Sequence, residues 1–290
     1  MPLVHTRNFR VRHYECDAYG HLNNANYLRY MQEAAFDASA AAGYGLLRYE
    51  QIGRLWLVRE TEIEYLLPLY YNDSVAVKTW VLDFRRYTSR RAYEFYNTAD
   101  GSLAARGVTN WVFLDSTTGR PATIPADLAS VYLPEGQAEP LPPAERFPKA
   151  PPPPPGVFST QRKVRWRDID RLKHVNNAIY LEYVEECGFQ ALARRGWSAQ
   201  RMIEEGFAVL VRKNQLHYRQ PALLDDDLEI TTWVSEVRRS TAMRYYQVRR
   251  IPDGELLVEV HALGVWVDLK TGRPSRIPAQ FLEDFQSDIV

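Results

Sequence analysis

Asp17-Ala-Tyr-Gly20-His21-Leu-Asn23-Asn24-Ala-Asn-Tyr27-Leu28 decides the fold, because the chain says it twice. The second copy reads Asp170-Arg-Leu-Lys173-His174-Val-Asn176-Asn177-Ala-Ile-Tyr180-Leu181, 153 residues further on. The same shift carries Tyr65 onto Tyr218, Pro68 onto Pro221, Trp80-Val81 onto Trp233-Val234 and Asp115 onto Asp268. It also carries Thr118-Gly119-Arg120-Pro121 onto Thr271-Gly272-Arg273-Pro274, with no gap anywhere between. A period this long exceeds any solenoid unit and matches a duplicated domain of ordinary size. We therefore expect one unit over residues 1–133, a proline-rich linker over 134–156 and a second unit over 157–290. Pro151 to Pro155 close that linker, and proline at such density stays extended rather than joining a core.

Outward from the repeated stretch the pattern is that of an α+β unit. Phe9 to Tyr14 alternates as a strand, and a polar loop over 15–23 follows. Tyr27, Leu28, Met31, Ala34, Ala35, Ala38, Ala41 and Ala42 recur at helical spacing and predict a helix from about Asn24 to Ala42. Gly43 supplies its stop. The period then changes to two. Leu55–Leu67, Ser74–Phe84, Ser89–Thr98 and Leu103–Leu114 read as strands, with Asp100-Gly101 as a hairpin cue. The second copy predicts a strand over Phe158–Trp166, a helix from about Asn177 to Arg195, and strands over Phe207–Tyr218, Asp227–Glu236, Ser240–Arg250 and Leu256–Asp268.

Bulk properties exclude several classes. Lysine plus arginine balance aspartate plus glutamate at 36 each, so no basic field recruits nucleic acid or an anionic membrane. No run reaches the roughly 18–20 apolar residues of a membrane span, and the N-terminus lacks a signal-peptide core. Cys16 and Cys187 occupy unrelated positions in the repeat and read as core-packing thiols. A reducing cytoplasm is the expected compartment. No phosphate-binding glycine loop, nucleophile elbow, His-Glu-x-x-His or Cys-x-x-Cys stands in the chain, so neither a metal nor another cofactor is expected.

The repeated loop resembles that of the hotdog-fold thioesterases, Asp-x-x-Gly-His-φ-Asn-Asn-x-x-Tyr. So does the strand pattern φ-x-Tyr-x-x-Pro-x-x-x-x-Asp, present as Ile63-Glu-Tyr65-Leu-Leu-Pro68 to Asp73 and as Leu216-His-Tyr218-Arg-Gln-Pro221 to Asp226. The resemblance covers nearly the whole chain twice. It implies a tandem double hotdog, each unit a sheet wrapped around one central helix, fused as an intramolecular pseudo-dimer that could assemble further. It implies hydrolysis of an acyl-CoA thioester. The fused pair is also similar to plant acyl-acyl-carrier-protein thioesterases, around Asp168-Ile-Asp170-Arg-Leu-Lys-His174-Val-Asn-Asn. Two positions depart from that plant pattern: an expected Asn is Leu172, and an expected Glu aligns with Pro221. A non-catalytic acyl-thioester-binding module is the competing class. In double hotdogs each site is expected at the seam, with the other unit flooring the acyl slot.

The chemistry of the loop suits that reading. Thioester hydrolysis needs an activated water or a carboxylate nucleophile beside a polarised carbonyl. Asp17 and Asp170 are the candidates, with turn formation as their alternative role. His21 and His174 would assist, or else bond to backbone. Asn23, Asn24, Asn176 and Asn177 mark a helix N-terminus, where unpaired N–H groups could hold an oxyanion. They also read as plain helix caps. Gly20 accepts a positive φ that Lys173 takes only at a cost, so two sites of unequal activity are expected.

Three further constellations remain. Glu64 would face Lys213, Glu62 would face Gln215 and Glu60 would face His217 if those strands pair antiparallel across the seam; a solvated strand face is the alternative. Arg85, Arg86, Arg238 and Arg239, with Arg90, Arg91 and Arg244 nearby, would suit coenzyme A phosphates or simply an exposed, charged hairpin. Tryptophans such as Trp56, Trp80, Trp111 and Trp233 read as core.

Overall fold

The computed structural model describes residues 2–134 and 147–290. The chain divides into two compact units, Met1–Arg146 and Phe147–Val290. Unit one runs β1 (His5–Arg10), a 3-10 turn His13–Glu15, α1 (Asn24–Ala41), α2 (Leu46–Gln51), β2 (Arg54–Tyr65), β3 (Ser74–Phe84), β4 (Thr88–Asn97), β5 (Leu103–Asp115) and α3 (Ala126–Tyr132). Its strands pair antiparallel in the order β1-β3-β4-β5-β2. Unit two repeats this as β6 (Phe158–Lys163), a 3-10 turn Trp166–Asp168, α4 (Asn177–Arg194), α5 (Ala199–Glu204), β7 (Phe207–Tyr218), β8 (Asp227–Ser235), β9 (Thr241–Arg250), β10 (Leu256–Asp268) and α6 (Ala279–Asp284). Its order is β6-β8-β9-β10-β7, again antiparallel. Each unit is a hotdog.

The long helix forms because its ends are marked and one stripe is apolar. Asn23 caps α1, its side chain accepting from Ala25 N–H, and Gly43 leaves the helix at φ +80°. Tyr27, Leu28, Met31, Ala34, Ala35 and Ala38 are buried along it. The sheet comes close where β5 carries Gly107: a Cβ there would stand 3.0 Å from Met31 Cε and 2.9 Å from the Glu62 carbonyl.

Four expectations change. The first strand of each unit ends early, at Arg10 and Lys163, because the chain turns through His13–Glu15 and Trp166–Asp168. Trp166 is 80% exposed on that turn, so it is no core tryptophan. Cys16 is only half-buried; Cys187 is buried, its thiol pushed up to about 12 by desolvation. The sequence reading also missed α3 and α6, short apolar helices after the last strand. Of the expected linker, residues 147–156 form neither helix nor strand, and 135–146 lie outside the described residues. Among the described residues no helix is long and apolar enough to cross a membrane.

Beyond the C-terminal end of its long helix each unit has a second core, and the two differ. In unit one Tyr44, Tyr49, Phe113, Leu128 and Tyr132 fill it, with Trp56 and Phe84 packed against them. In unit two Leu192, Trp197, Phe207, Trp266, Phe281 and Phe285 form it. A void of about 50 Å³ remains beside Leu192, Val209, Ala242, Gly264, Phe281 and Phe285. At ~24 cal/mol per Å³, a void of that size costs about 1 kcal/mol.

Candidate active site

Asp17 heads a tight loop. Its N–H donates to the His21 carbonyl (2.8 Å) and its carbonyl accepts from Gly20 N–H (3.0 Å). Carboxylate Oδ1 accepts from the amides of Tyr19 (2.9 Å) and His21 (3.0 Å), which fixes the group's direction. The loop closes because Gly20 sits at φ +80°. Unit two builds the same loop: Asp170 N–H to the His174 carbonyl (2.9 Å), Lys173 N–H to the Asp170 carbonyl (3.0 Å), Leu172 N–H to Asp170 Oδ1 (2.8 Å). Lys173 adopts φ +63°, the left-handed conformation the loop demands. Both aspartates are half-buried.

Two residues before each Asp lies a buried acid that the sequence reading passed over. Glu15 Oε2 accepts from Tyr30 Oη (2.7 Å) and from Arg12 N–H (2.8 Å). Its carbonyl accepts from Asn23 N–H (2.9 Å) and Asn26 Nδ2 (2.9 Å). Asp168 does the same: Tyr183 Oη at 2.7 Å, Arg165 N–H at 2.9 Å, Asn176 N–H to its carbonyl at 2.9 Å. Burial, then the bonded carboxylate, raise both phenols well above their ordinary pKa, so they remain donors. The loop is thus pinned to the middle of the long helix by a charge-assisted bond. A signal existed: Glu15 and Asp168, and Tyr30 and Tyr183, each stand 153 apart.

The family model of the thioesterase-like superfamily matches residues 11–131 and again 164–285, so it takes in both loops and most of both units. The chain belongs to the thioesterase-like superfamily. It is similar to the long-chain acyl-CoA thioesterase FadM of Escherichia coli, 31% identical over 129 residues, 44% of this chain and 97% of that protein. It is similar to a chloroplastic palmitoyl-acyl carrier protein thioesterase of Cuphea hookeriana, 26% identical over 196 residues. That match spans 63% of this chain and 46% of the plant protein. Among solved structures it overlays a putative oleoyl thioesterase from Lactobacillus plantarum with a TM-score of 0.73 at 20% identity, covering 91% of this chain and 96% of that one. This last likeness speaks to the fold.

In this thioesterase-like chain the other expected residues fall into three groups. Asn23 and Asn176 act as caps: each side-chain oxygen takes the amide of Ala25 (2.9 Å) or Ala178 (3.0 Å). Asn24 and Asn177 are the first residues of their helices. His21 reaches Asp17 through its backbone, while its ring lies 5.4 Å from Tyr70 and 6.3 Å from Tyr19. His174 likewise meets Asp170 through its carbonyl. Tyr19 Oη is buried with no hydrogen-bond partner among the described residues, and burial, then Asp17, raise its pKa.

The arginines divide. Arg85, Arg86, Arg238 and Arg239 are exposed, and the carbonyls of Arg86 and Arg239 hold Ile124 (2.9 Å) and Ile277 (3.0 Å). Arg90 and Arg91 turn inward instead. Arg90 Nη2 meets buried Asp83 at 2.5 Å, and Arg91 donates to Thr79 Oγ1 at 3.3 Å. Glu60 and Glu64 find partners on the neighbouring strand β5: Asn110 (2.9 Å) and Arg106 (2.7 Å). Among the described residues no three His, Cys, Asp or Glu converge as metal ligands.

Proposed function

We propose that the chain hydrolyses acyl thioesters, with Asp17 and Asp170 as the residues that act on the reacting centre. One observation supports this reading above the rest: the same half-buried carboxylate recurs in the same closed loop, just ahead of the same capped helix. The carboxylate takes a proton from water as that water adds to the thioester carbonyl. The carbonyl oxygen gains the negative charge and is held at the helix start, by the amide of Asn24 or Asn177. One such donor is worth roughly 3 kcal/mol in the transition state. The C–S bond then breaks, the thiolate takes up the proton, and a free carboxylic acid leaves. Water and the chain's own groups supply every atom. His21 and His174, tied through their backbones, shape the loop.

The first substrate to test is acyl-CoA, named for the Escherichia coli relative; acyl-acyl-carrier protein, named for the plant relative, is the second. Exposed Arg85, Arg86, Arg238 and Arg239 are our candidates for the coenzyme phosphates. The two free thiols suit a reducing compartment such as the cytoplasm. Thiol release from acyl-CoA of graded length decides the matter. Turnover should collapse in the doubly substituted Asp17→Asn/Asp170→Asn protein. Saturable binding without turnover in the wild type would return a non-catalytic acyl-binding module instead.

A further inference from the structure

The two copies of the loop differ most in what they show to solvent. In unit two Arg165-Trp166-Arg167 and Arg171-Leu172-Lys173 are exposed at every position. Trp166, 80% exposed on its 3-10 turn, has a cation on each side, and Leu172, 41% exposed, is flanked the same way. The neighbouring loop adds Leu223 and Leu224, both exposed. Backbone bonds hold it there: Val164 N–H to the Asp226 carbonyl (2.9 Å) and Val175 N–H to the Ala222 carbonyl (3.0 Å). The matching residues before and in the loop of unit one are Arg12, His13, Tyr14, Ala18, Tyr19 and Gly20, so three of the four cations have no counterpart. Nearby acids cancel only part of this charge. Asp168 is buried, 3.8 Å from Arg167 Nε, and Asp170 is half-buried. Asp226 pairs with Arg250 (3.1 Å) and Asp227 with Lys163 (2.8 Å), which leaves exposed Asp225 against four exposed cations. The balanced charge of the whole chain is not the balance of this face.

We infer that this face of unit two docks on an anionic lipid surface. Trp166, Leu172, Leu223 and Leu224 dip below the headgroups, and Arg165, Arg167, Arg171 and Lys173 meet the phosphates. Tryptophan beside cations is the pairing that suits a membrane–water boundary. A protein-binding patch gathers its apolar groups into a core depleted of charge; here Trp166 and Leu172 each stand between two cations. A site for phosphate alone has no use for four exposed apolar tips. The contact is peripheral, since among the described residues no helix is long and apolar enough to cross a membrane. It sets the loop that carries Asp170 against the lipid, whereas the loop of Asp17 lacks the same cations. The inference stands apart from the hydrolase reading, because docking is measured without substrate.

Flotation of the full chain with vesicles of phosphatidylglycerol and phosphatidylcholine in equal parts, against phosphatidylcholine alone, reads the docking. Wild type should float with the anionic vesicles only, and added salt should release it. Arg165→Gln/Arg167→Gln should weaken binding roughly thirtyfold, at about fivefold for each cation lost near the surface. Trp166→Ser should weaken it at least about tenfold, as expected when an apolar side chain no longer leaves water. Tyr14→Ser, on the matching turn of unit one and 77% exposed, should change nothing. All these side chains are exposed, so each variant should melt with wild type. Were the Trp166 variant to unfold, the arginine pair and the salt release decide. No flotation of wild type with anionic vesicles, equal binding to neutral ones, or full binding by the arginine variant overturns the inference. So does a loss in Tyr14→Ser as large as in Trp166→Ser. If the vesicles stay bare and the arginine variant instead raises KM for acyl-CoA, or no longer holds an acyl-carrier protein, the cations serve those substrates and the membrane contact is refuted.

Discussion

Unit one and unit two share a frame and differ in what surrounds it. The shared part is the loop with its buried acid and tyrosine: Glu15–Tyr30 and Asp168–Tyr183 bond at the same 2.7 Å. The surroundings have diverged. Around His21 stand Tyr19 and Tyr70; their counterparts near His174 are Leu172 and Leu223. Unit one packs Trp56 against Phe113, where unit two has Val209 and Trp266 lining a void. Duplication has thus preserved the loop that fixes a carboxylate's direction while the packing around it has diverged. The two loops should be unequal. Asp17 Oδ1 is held by two amides and its loop turns on a glycine, whereas Asp170 depends on a lysine held at positive φ. Asp17→Asn should cost about 10²–10⁴ in kcat, the range of a positioned base, and Asp170→Asn less. Steady-state rates on one acyl-CoA measure both. Equal losses, or a larger one from Asp170→Asn, would reverse the ranking.

The shared frame can be probed directly. Tyr30→Phe and Tyr183→Phe each remove one hydrogen bond to a buried carboxylate, worth about 1.5–3 kcal/mol. Both should lower the urea midpoint by similar amounts, since the bond lengths agree. A cost confined to one unit would mean that the two anchors, alike in distance, carry different loads.

These anchors also show where the sequence was and was not legible. The repeat, the α1 and α4 helices and the long strands could be read because periodicity and an ungapped shift speak across many residues. Asp17 and Asp170 stood out through their company. Glu15 and Asp168 did not, since an acid placed before a turn looks like ordinary solvated charge until a tyrosine one helix away is seen to close on it. Arg90 and Arg91 misled for the converse reason: their partners, Asp83 and Thr79, lie across strand β3, and local pattern carries no sign of inward direction. The void could not be read at all, because Gly264 in a strand signals close approach as readily as empty space.

A third difference lies on β10. His261, where unit one has Val108, is 3% exposed between the rings of Phe147 (4.6 Å) and Tyr245 (4.7 Å). Burial depresses its pKa to about 4, against the opposing pull of Glu259 and Glu236. An unfolded histidine titrates near 6.5, so between about pH 6.5 and 4 the unfolded chain binds the proton first. Stability should therefore be unaffected above neutrality and fall as the pH drops through that window, by up to roughly 2 kcal/mol once partial solvation is allowed for. His261→Val, which restores the unit-one residue, should flatten that part of the curve in urea unfolding at pH 7 and 4.5. A slope that persists in the variant would place the acid sensitivity elsewhere.

The smallest effect bears on the loop itself. Lys173 at φ +63° meets the conformational cost of a Cβ in the left-handed region, about 1–2 kcal/mol. Lys173→Gly removes that cost but loosens the unfolded chain, which takes back about 0.4–1 kcal/mol. The net gain should be near ~0.5 kcal/mol. Gly20→Lys, at φ +80°, should lose a similar amount in the other unit. Urea midpoints resolve the pair if both variants are compared with wild type side by side. Matching changes of opposite sign would mean that backbone strain alone separates the two turns. A Lys173→Gly protein no more stable than wild type would show that the lysine side chain makes a compensating contact, and that unit two has adapted its loop rather than merely tolerated it.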